Sequence, residues 1–313
     1  MNPNVENSAA SRLRGWIATH PVAGFLVILY PITWILFLPA VLGKSGFGVI
    51  PVDIPYQVSV LLATFLGLTS VAFLVTRIAD GKEGTRALRR HYYQFRAAPQ
   101  WYLGAIFGPP IVLLVADFLI HGPSVFAAIG NNFTKIPTAF LLQVLLFALL
   151  INLWEEGAWV GFMTARLQPR VGPFWASVLV APCFGFVHFP LFFIAGGLGP
   201  DHIQPSQFLM YAFFLLIGFS VQVRILATWL FNSTGGSLPV VALFHSSMDA
   251  TSSVAVLALF FQPGGDSGWL YIGFAVIAVL LVVATRGKLG YKPEPAPAAD
   301  RTPLGAPLPA HAD

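Results

Sequence analysis

The sequence predicts an all-α polytopic membrane protein, a bundle of about eight transmembrane helices with both termini cytoplasmic. Three observations predict it. Hydrophobic residues make up 56% of the 313-residue chain and charged residues only 10%, less than half the roughly 25% that covers a soluble domain. Apolar runs of about 20 residues, the length that crosses a bilayer, recur from residue 22 to residue 285. The basic residues are also distributed asymmetrically between the segments that separate those runs.

The organisation is read as a cytoplasmic N-terminal segment at 1–21, a transmembrane bundle at 22–290 and a disordered cytoplasmic tail at 291–313. The spans are expected at 22–42, 57–79, 101–120, 137–164, 173–194, 208–231, 238–262 and 268–285. The fourth is the least plain, because Glu155 and Glu156 interrupt it. It is counted because residues 138–151 are nearly all apolar and the pattern resumes at Trp159. The tail is rich in Pro and Ala and lacks apolar periodicity, hence the expectation of disorder. Between the second and third spans, residues 80–100 mix Arg with Tyr92, Tyr93 and Phe95, and Trp101 follows directly. That composition suits an interfacial helix on anionic headgroups and equally an ordinary basic loop.

With the N-terminus inside, 14 of the 17 Lys and Arg residues fall in inner segments. Two, Lys44 and Lys135, fall outside, and Arg224 lies within the sixth span. This is the positive-inside distribution. It accounts for the net charge of +4 without a nucleic-acid partner. The excess of Arg over Lys, 12 to 5, points to the plasma membrane of a bacterium. The single cysteine, Cys183, excludes an internal disulfide and a multi-cysteine zinc site.

Ionisable side chains within spans are costly, at least ~2.5–3.5 kcal/mol each on insertion scales, and are functional candidates by default. Here they are Asp117, Glu155, Glu156, His188, Arg224, His245 and Asp249. Glu155 and Glu156 are consecutive, so on a helix they point about 100° apart and cannot address one atom. One acid is expected at a reaction centre and the other against a separate partner. Phe184 and His188 stand at i and i+4, as do His245 and Asp249, so each pair shares a helix face. Either Asp249 orients His245 or the two present polar groups side by side. Glu155, His188 and Asp249 fall at comparable depth, as a shared cavity requires. Asp117 and Arg224, taken singly, read as helix–helix hydrogen-bonding groups.

These residues form three motifs in order. Glu155-Glu156-Gly-Ala-Trp159-Val160 resembles EExxxR, Phe184-Gly-Phe-Val-His188 matches FxxxH, and His245-Ser-Ser-Met-Asp249 matches Hxxx followed by Asn or Asp. Together they resemble the CPBP family, also called ABI: type II CAAX prenyl endopeptidases and bacteriocin-processing and immunity proteins. The resemblance covers about 140–255, within a family-like core at about 137–262. It implies an intramembrane endopeptidase in which Glu155 and His188 hold and activate a water, while His245 and Asp249 stabilise the oxyanion. The resemblance equally admits zinc held by Glu155, His188 and His245. No HExxH pattern supports a soluble-type metalloprotease.

Two departures stand out. Val160 occupies the position of the family arginine, which leaves Glu156 without its cation, and Arg224 at similar depth is the expected replacement. Asp249 stands where Asn is common. Besides a peptidase acting on a peptide or protein that enters from the membrane or the cytoplasmic side, two other classes remain open. One is a non-catalytic scaffold or immunity protein; the other is a proton-coupled carrier, against which stands the absence of an inverted repeat.

Overall fold

The structure is a computed structural model, which describes residues 3–198, 205–261 and 266–293. The part of the predicted disordered tail from residue 294 onward lies outside the described residues. Among those residues the chain is helical and has no strand. The helices are α1 (Pro3–Thr19), α2 (Pro21–Leu42), α3 (Tyr56–Ala79), α4 (Gly81–Tyr92), α5 (Pro99–His121), α6 (Val125–Asn132), α7 (136–171), α8 (Pro173–Val187), α9 (Gln207–Ser233), α10 (Leu238–Ser252), α11 (Val254–Phe260) and α12 (Gly268–Thr285). Several start on a proline in the first turn, where the missing N–H would have had no partner: Pro21, Pro99, Pro173 and Pro239.

Among the described residues, six helical stretches are long and apolar enough to cross a membrane. A seventh is added when α10 and α11, bent by 69° at Ser253, are taken as one broken span. Sequence reading expected about eight. The difference lies in residues Pro99–Val171, a helical run of 73 residues that holds the expected third and fourth spans together. Drawn straight, such a run would measure about 110 Å, far beyond a ~30 Å hydrocarbon core. It is broken at Gly122, whose φ of 68° is left-handed and suits glycine.

The outer surface is apolar, with Leu119 78% exposed and Val283 70% exposed. In water this would be a large hydrophobic patch; against lipid it is the expected exterior. Polar residues of the spans lie inside. Glu156, Arg224, Ser246 and Thr228 are fully buried. The helix α10 is the hub, packed against α5, α7 and α9, while α8 packs against α9, α7 and α2.

The helix α7 is wound unevenly. Wider π turns at Ile136–Leu141, Ala148–Asn152 and Gly157–Thr164 alternate with α turns, and Glu155 and Glu156 sit on the single α turn Leu153–Glu156 between two of them. The wider winding shows in side-chain bonds that reach five residues back, as from Thr164 Oγ1 to the carbonyl of Trp159 at 3.0 Å. Such π segments recur at functional sites.

The amphipathic α4 is no loop. It buries Leu88 and Tyr92 and exposes its arginines. Tyr92 lies against Gly157 and Leu88 against Gly161, so a Cβ at Gly157 would collide with the Tyr92 hydroxyl. The chain after α4 is tied to the start of α10: Ser237 Oγ donates to the carbonyl of Gln94 at 2.6 Å and caps α10 by accepting from the N–H of Val240.

Candidate active site

The acidic pair, both histidines, Arg224, Phe184 and Asp249 come together from α7, α8, α9 and α10. They form two linked groups rather than one.

In the first group, Glu155 Oε1 stands 3.4 Å from His188 Nε2. The indole N–H of Trp159, one turn further along α7, donates to the same Glu155 oxygen at 3.3 Å. His188 sits at the C-terminal end of α8, and its Nδ1 lies 2.8 Å from the carbonyl of Phe184. A carbonyl only accepts, so Nδ1 carries the hydrogen and the neutral ring presents a lone pair at Nε2. Two acceptors thus face each other across 3.4 Å. This arrangement is stable only with a proton or a hydrogen-bond donor between them. Glu155 is 5% exposed and the His188 side chain 24%, so the opening of the pair lies on the histidine side.

In the second group, Arg224 grips Glu156 with two parallel bonds, Nη1 to Oε2 at 2.8 Å and Nη2 to Oε1 at 2.6 Å. His245 Nδ1 donates to Oε1 of the same carboxylate at 2.6 Å. All three are buried. A carboxylate accepting three such bonds is in its charged form, and the bidentate guanidinium is the geometry that stabilises it best. The donation fixes the hydrogen at Nδ1 of His245 and leaves Nε2 toward Asp249.

Phe184 divides the two groups. Its ring meets His188 edge-on at 4.8 Å, His245 at 5.7 Å and Trp159 at 5.9 Å. The Arg224 guanidinium lies over it at 4.1 Å, a cation–π contact in an apolar setting. The aromatic residue of the FxxxH pattern is thus the packing centre of the site.

Of the two relations that the i and i+4 spacing of His245 and Asp249 allows, the arrangement departs from the first, in which Asp249 orients His245. His245 Nε2 and Asp249 Oδ1 are 3.8 Å apart, beyond a hydrogen bond. His245 is oriented by Glu156 on another helix, whose carboxylate is already fixed by Arg224. Asp249 is held instead by Asn152, whose Nδ2 donates to Asp249 Oδ2 at 2.9 Å and to Ser246 Oγ at 3.0 Å. Sequence reasoning missed Asn152. The available signal was its place as a polar residue in an apolar run, three and four positions before the two glutamates.

Asp117, read as a packing group, is buried and lies 3.6 Å from the ring of His121 one turn on. Among the described residues no three His, Cys, Asp or Glu side chains converge closely enough to hold a metal ion.

Residues 137–251 match the family model described as type II CAAX prenyl endopeptidase Rce1-like. The matched stretch contains every residue of both groups. No curated protein matches the chain.

Proposed function

We propose that this chain, whose residues 137–251 are a CAAX-protease (CPBP) family domain, is an intramembrane endopeptidase that hydrolyses a peptide bond with a water shared by Glu155 and His188. The observation that carries the reading is the facing of Glu155 Oε1 and His188 Nε2 at 3.4 Å, with the His188 tautomer set by the Phe184 carbonyl.

A water about 2.8 Å from both atoms donates one hydrogen to each and turns a lone pair toward the substrate carbonyl. As its oxygen bonds to the carbonyl carbon, Glu155 takes the proton, as a general base does. The same proton then goes to the departing amide nitrogen. The N–H of Trp159 keeps the carboxylate in place through both transfers. The oxyanion would form on the other side of Phe184. There His245 can donate from Nε2 only as an imidazolium, because Nδ1 is already committed to Glu156.

Asp249 serves an oxyanion only when protonated, since a second negative charge would repel it. The Asn152 amide contacts it at Oδ2 and leaves Oδ1 for such a proton. Arg224 stands in for the arginine that Val160 replaces, so the loss of the family residue does not by itself argue against activity. The substrate is a membrane-bound or membrane-entering peptide admitted from the cytoplasmic half of the bilayer, and the enzyme resides in the plasma membrane.

The test is cleavage of a membrane-peptide library by the purified protein, compared with Glu155→Ala and His188→Ala. Cleavage by the wild type that both substitutions abolish, with folding intact, is the expected result. Inactivity of the wild type toward every peptide, with partner binding retained in both variants, would overturn the reading in favour of a non-catalytic scaffold.

A further inference from the structure

A second site lies away from the glutamates, on α4 and the turn that follows it. Arg86, Arg89, Arg90, Tyr93, Gln94 and Arg96 line a hollow of about 660 Å³. The acids nearby are already engaged: Glu83 holds Arg86 at 2.6 Å, and Asp80 pairs with Arg166. Arg89, Arg90 and Arg96 are exposed and have no ion-pair partner among the described residues. Three like charges gathered around one hollow repel one another unless an anion offsets them.

The surroundings say which anion. Tyr93 is 70% exposed and Phe95 59% exposed, and an amphipathic tyrosine beside arginines marks the level of lipid headgroups. Only four residues beyond Arg96, at Gln100 and Trp101, begins an apolar groove of about 350 Å³ between α5, α9, α10 and α12. Trp101 and Trp229 meet edge-on at its mouth, 5.2 Å apart. The groove is deepened by Gly104 and Gly108, where a side chain would meet open space. Four residues of chain span at most ~14 Å, so a cationic hollow and an acyl-sized groove lie within reach of one amphiphile.

We propose that this pair of features is a binding site for a single anionic phospholipid, its phosphate on Arg89, Arg90 and Arg96 and one acyl chain between Trp101 and Gly108. The lipid would rest on the helix whose Tyr92 touches Gly157 beside Glu156 and whose following turn is tied to Ser237 at the start of α10.

The test uses the full chain in a neutral, phosphate-free detergent. It is titrated with brominated phosphatidylglycerol, with brominated phosphatidylcholine of the same chains, and with inorganic phosphate. Bromine in the groove quenches Trp101 and Trp229. Phosphatidylglycerol is expected to quench at lower concentration than phosphatidylcholine. Arg89→Gln/Arg90→Gln/Arg96→Gln is expected to weaken phosphatidylglycerol on the order of a hundredfold, at about fivefold per surface arginine, and to leave phosphatidylcholine unchanged. Gly104→Leu/Gly108→Leu, which fills the groove from open positions, is expected to abolish quenching by both lipids. Equal affinity of the triple variant for phosphatidylglycerol would overturn the headgroup assignment. Competition by inorganic phosphate as strong as by the lipid, or quenching that survives the filled groove, would overturn the phospholipid in favour of a bare phosphate site or non-specific partition.

Discussion

Arg224 of α9 and Glu156 of α7 meet through two parallel hydrogen bonds, 2.6 and 2.8 Å long, with neither residue measurably exposed. Removing one partner of such a buried pair leaves an uncompensated charge and typically costs about 3–5 kcal/mol. Arg224→Met is therefore expected to lower stability by about that amount. Glu156→Gln/Arg224→Met should lose less than the sum of the two single changes, because neither buried charge is then orphaned. Unfolding of the four proteins in one detergent measures the cycle; additive losses would mean that the pair is not coupled.

Glu155 depends on Trp159 for its orientation. Trp159→Phe keeps the edge-on packing against Phe184 and removes only the indole N–H, a bond to a charged group worth about 1.5–3 kcal/mol. The expected outcome is a turnover loss of roughly tenfold to a hundredfold with unchanged substrate binding, read from kcat and KM separately. A change confined to KM would place Trp159 in substrate packing instead.

The Asn152–Asp249 contact gives a paired prediction. Asp249→Asn keeps the shape and removes the charge that repels an oxyanion, so cleavage is expected to persist or rise. Asn152→Asp sets a second carboxylate 2.9 Å from Asp249 Oδ2, and cleavage is expected to fall by at least about tenfold, since like charges that close cannot both ionise without penalty. The opposite order of the two variants would remove Asp249 from the oxyanion side.

Much of this is legible in the sequence, and the reasons are specific. Glu155 and Glu156 had to part company because adjacent helical positions diverge, and they do: one meets His188, the other Arg224 and His245. Arg224 was recognisable as the partner because a missing cation and a costly buried cation stood at the same depth. The partner of His245 was not legible. Spacing of i and i+4 suggests Asp249, but only the packing of α7 on α10 reveals that Glu156 is nearer. Asn152 escaped because a neutral amide carries no insertion alarm. The π turns of α7 have the same composition as α turns, and hydropathy separated spans at 101–120 and 137–164 that the chain joins into one broken helical run.

The seam between α4 and α10 carries a pH dependence. Burial lowers the pKa of His91 below 6.5, opposed in part by the carbonyl of Gly236, which lies 2.9 Å from Nδ1. A histidine whose folded pKa is depressed contributes stability that is present above its unfolded pKa and lost as pH falls through the folded one. Stability is therefore expected to decline as pH drops below about 6.5. His91→Gln should flatten that decline, measured as melting temperature against pH. An unchanged profile would assign the titration elsewhere.

The contact between Tyr92 and Gly157 reverses the usual rule for glycine in a helix. Gly→Ala at an internal helical position normally gains about 1 kcal/mol. Here a Cβ at Gly157 would run into the Tyr92 hydroxyl, on a turn that directly follows Glu155 and Glu156, so Gly157→Ala is expected to destabilise and to displace both acids. The Tyr92 hydroxyl is itself buried without a hydrogen-bond partner among the described residues. Tyr92→Phe removes an unsatisfied polar group rather than a bond, and stability should hold or rise by about 1 kcal/mol. Tyr92→Phe should relieve only the part of the Gly157→Ala defect that the hydroxyl imposes, because the ring carbon Cζ would still collide with such a Cβ. Melting temperature and cleavage measured for the two single variants and the double variant test this. A Gly157→Ala variant with wild-type stability and cleavage would mean that the α4–α7 contact does not control the position of the glutamates.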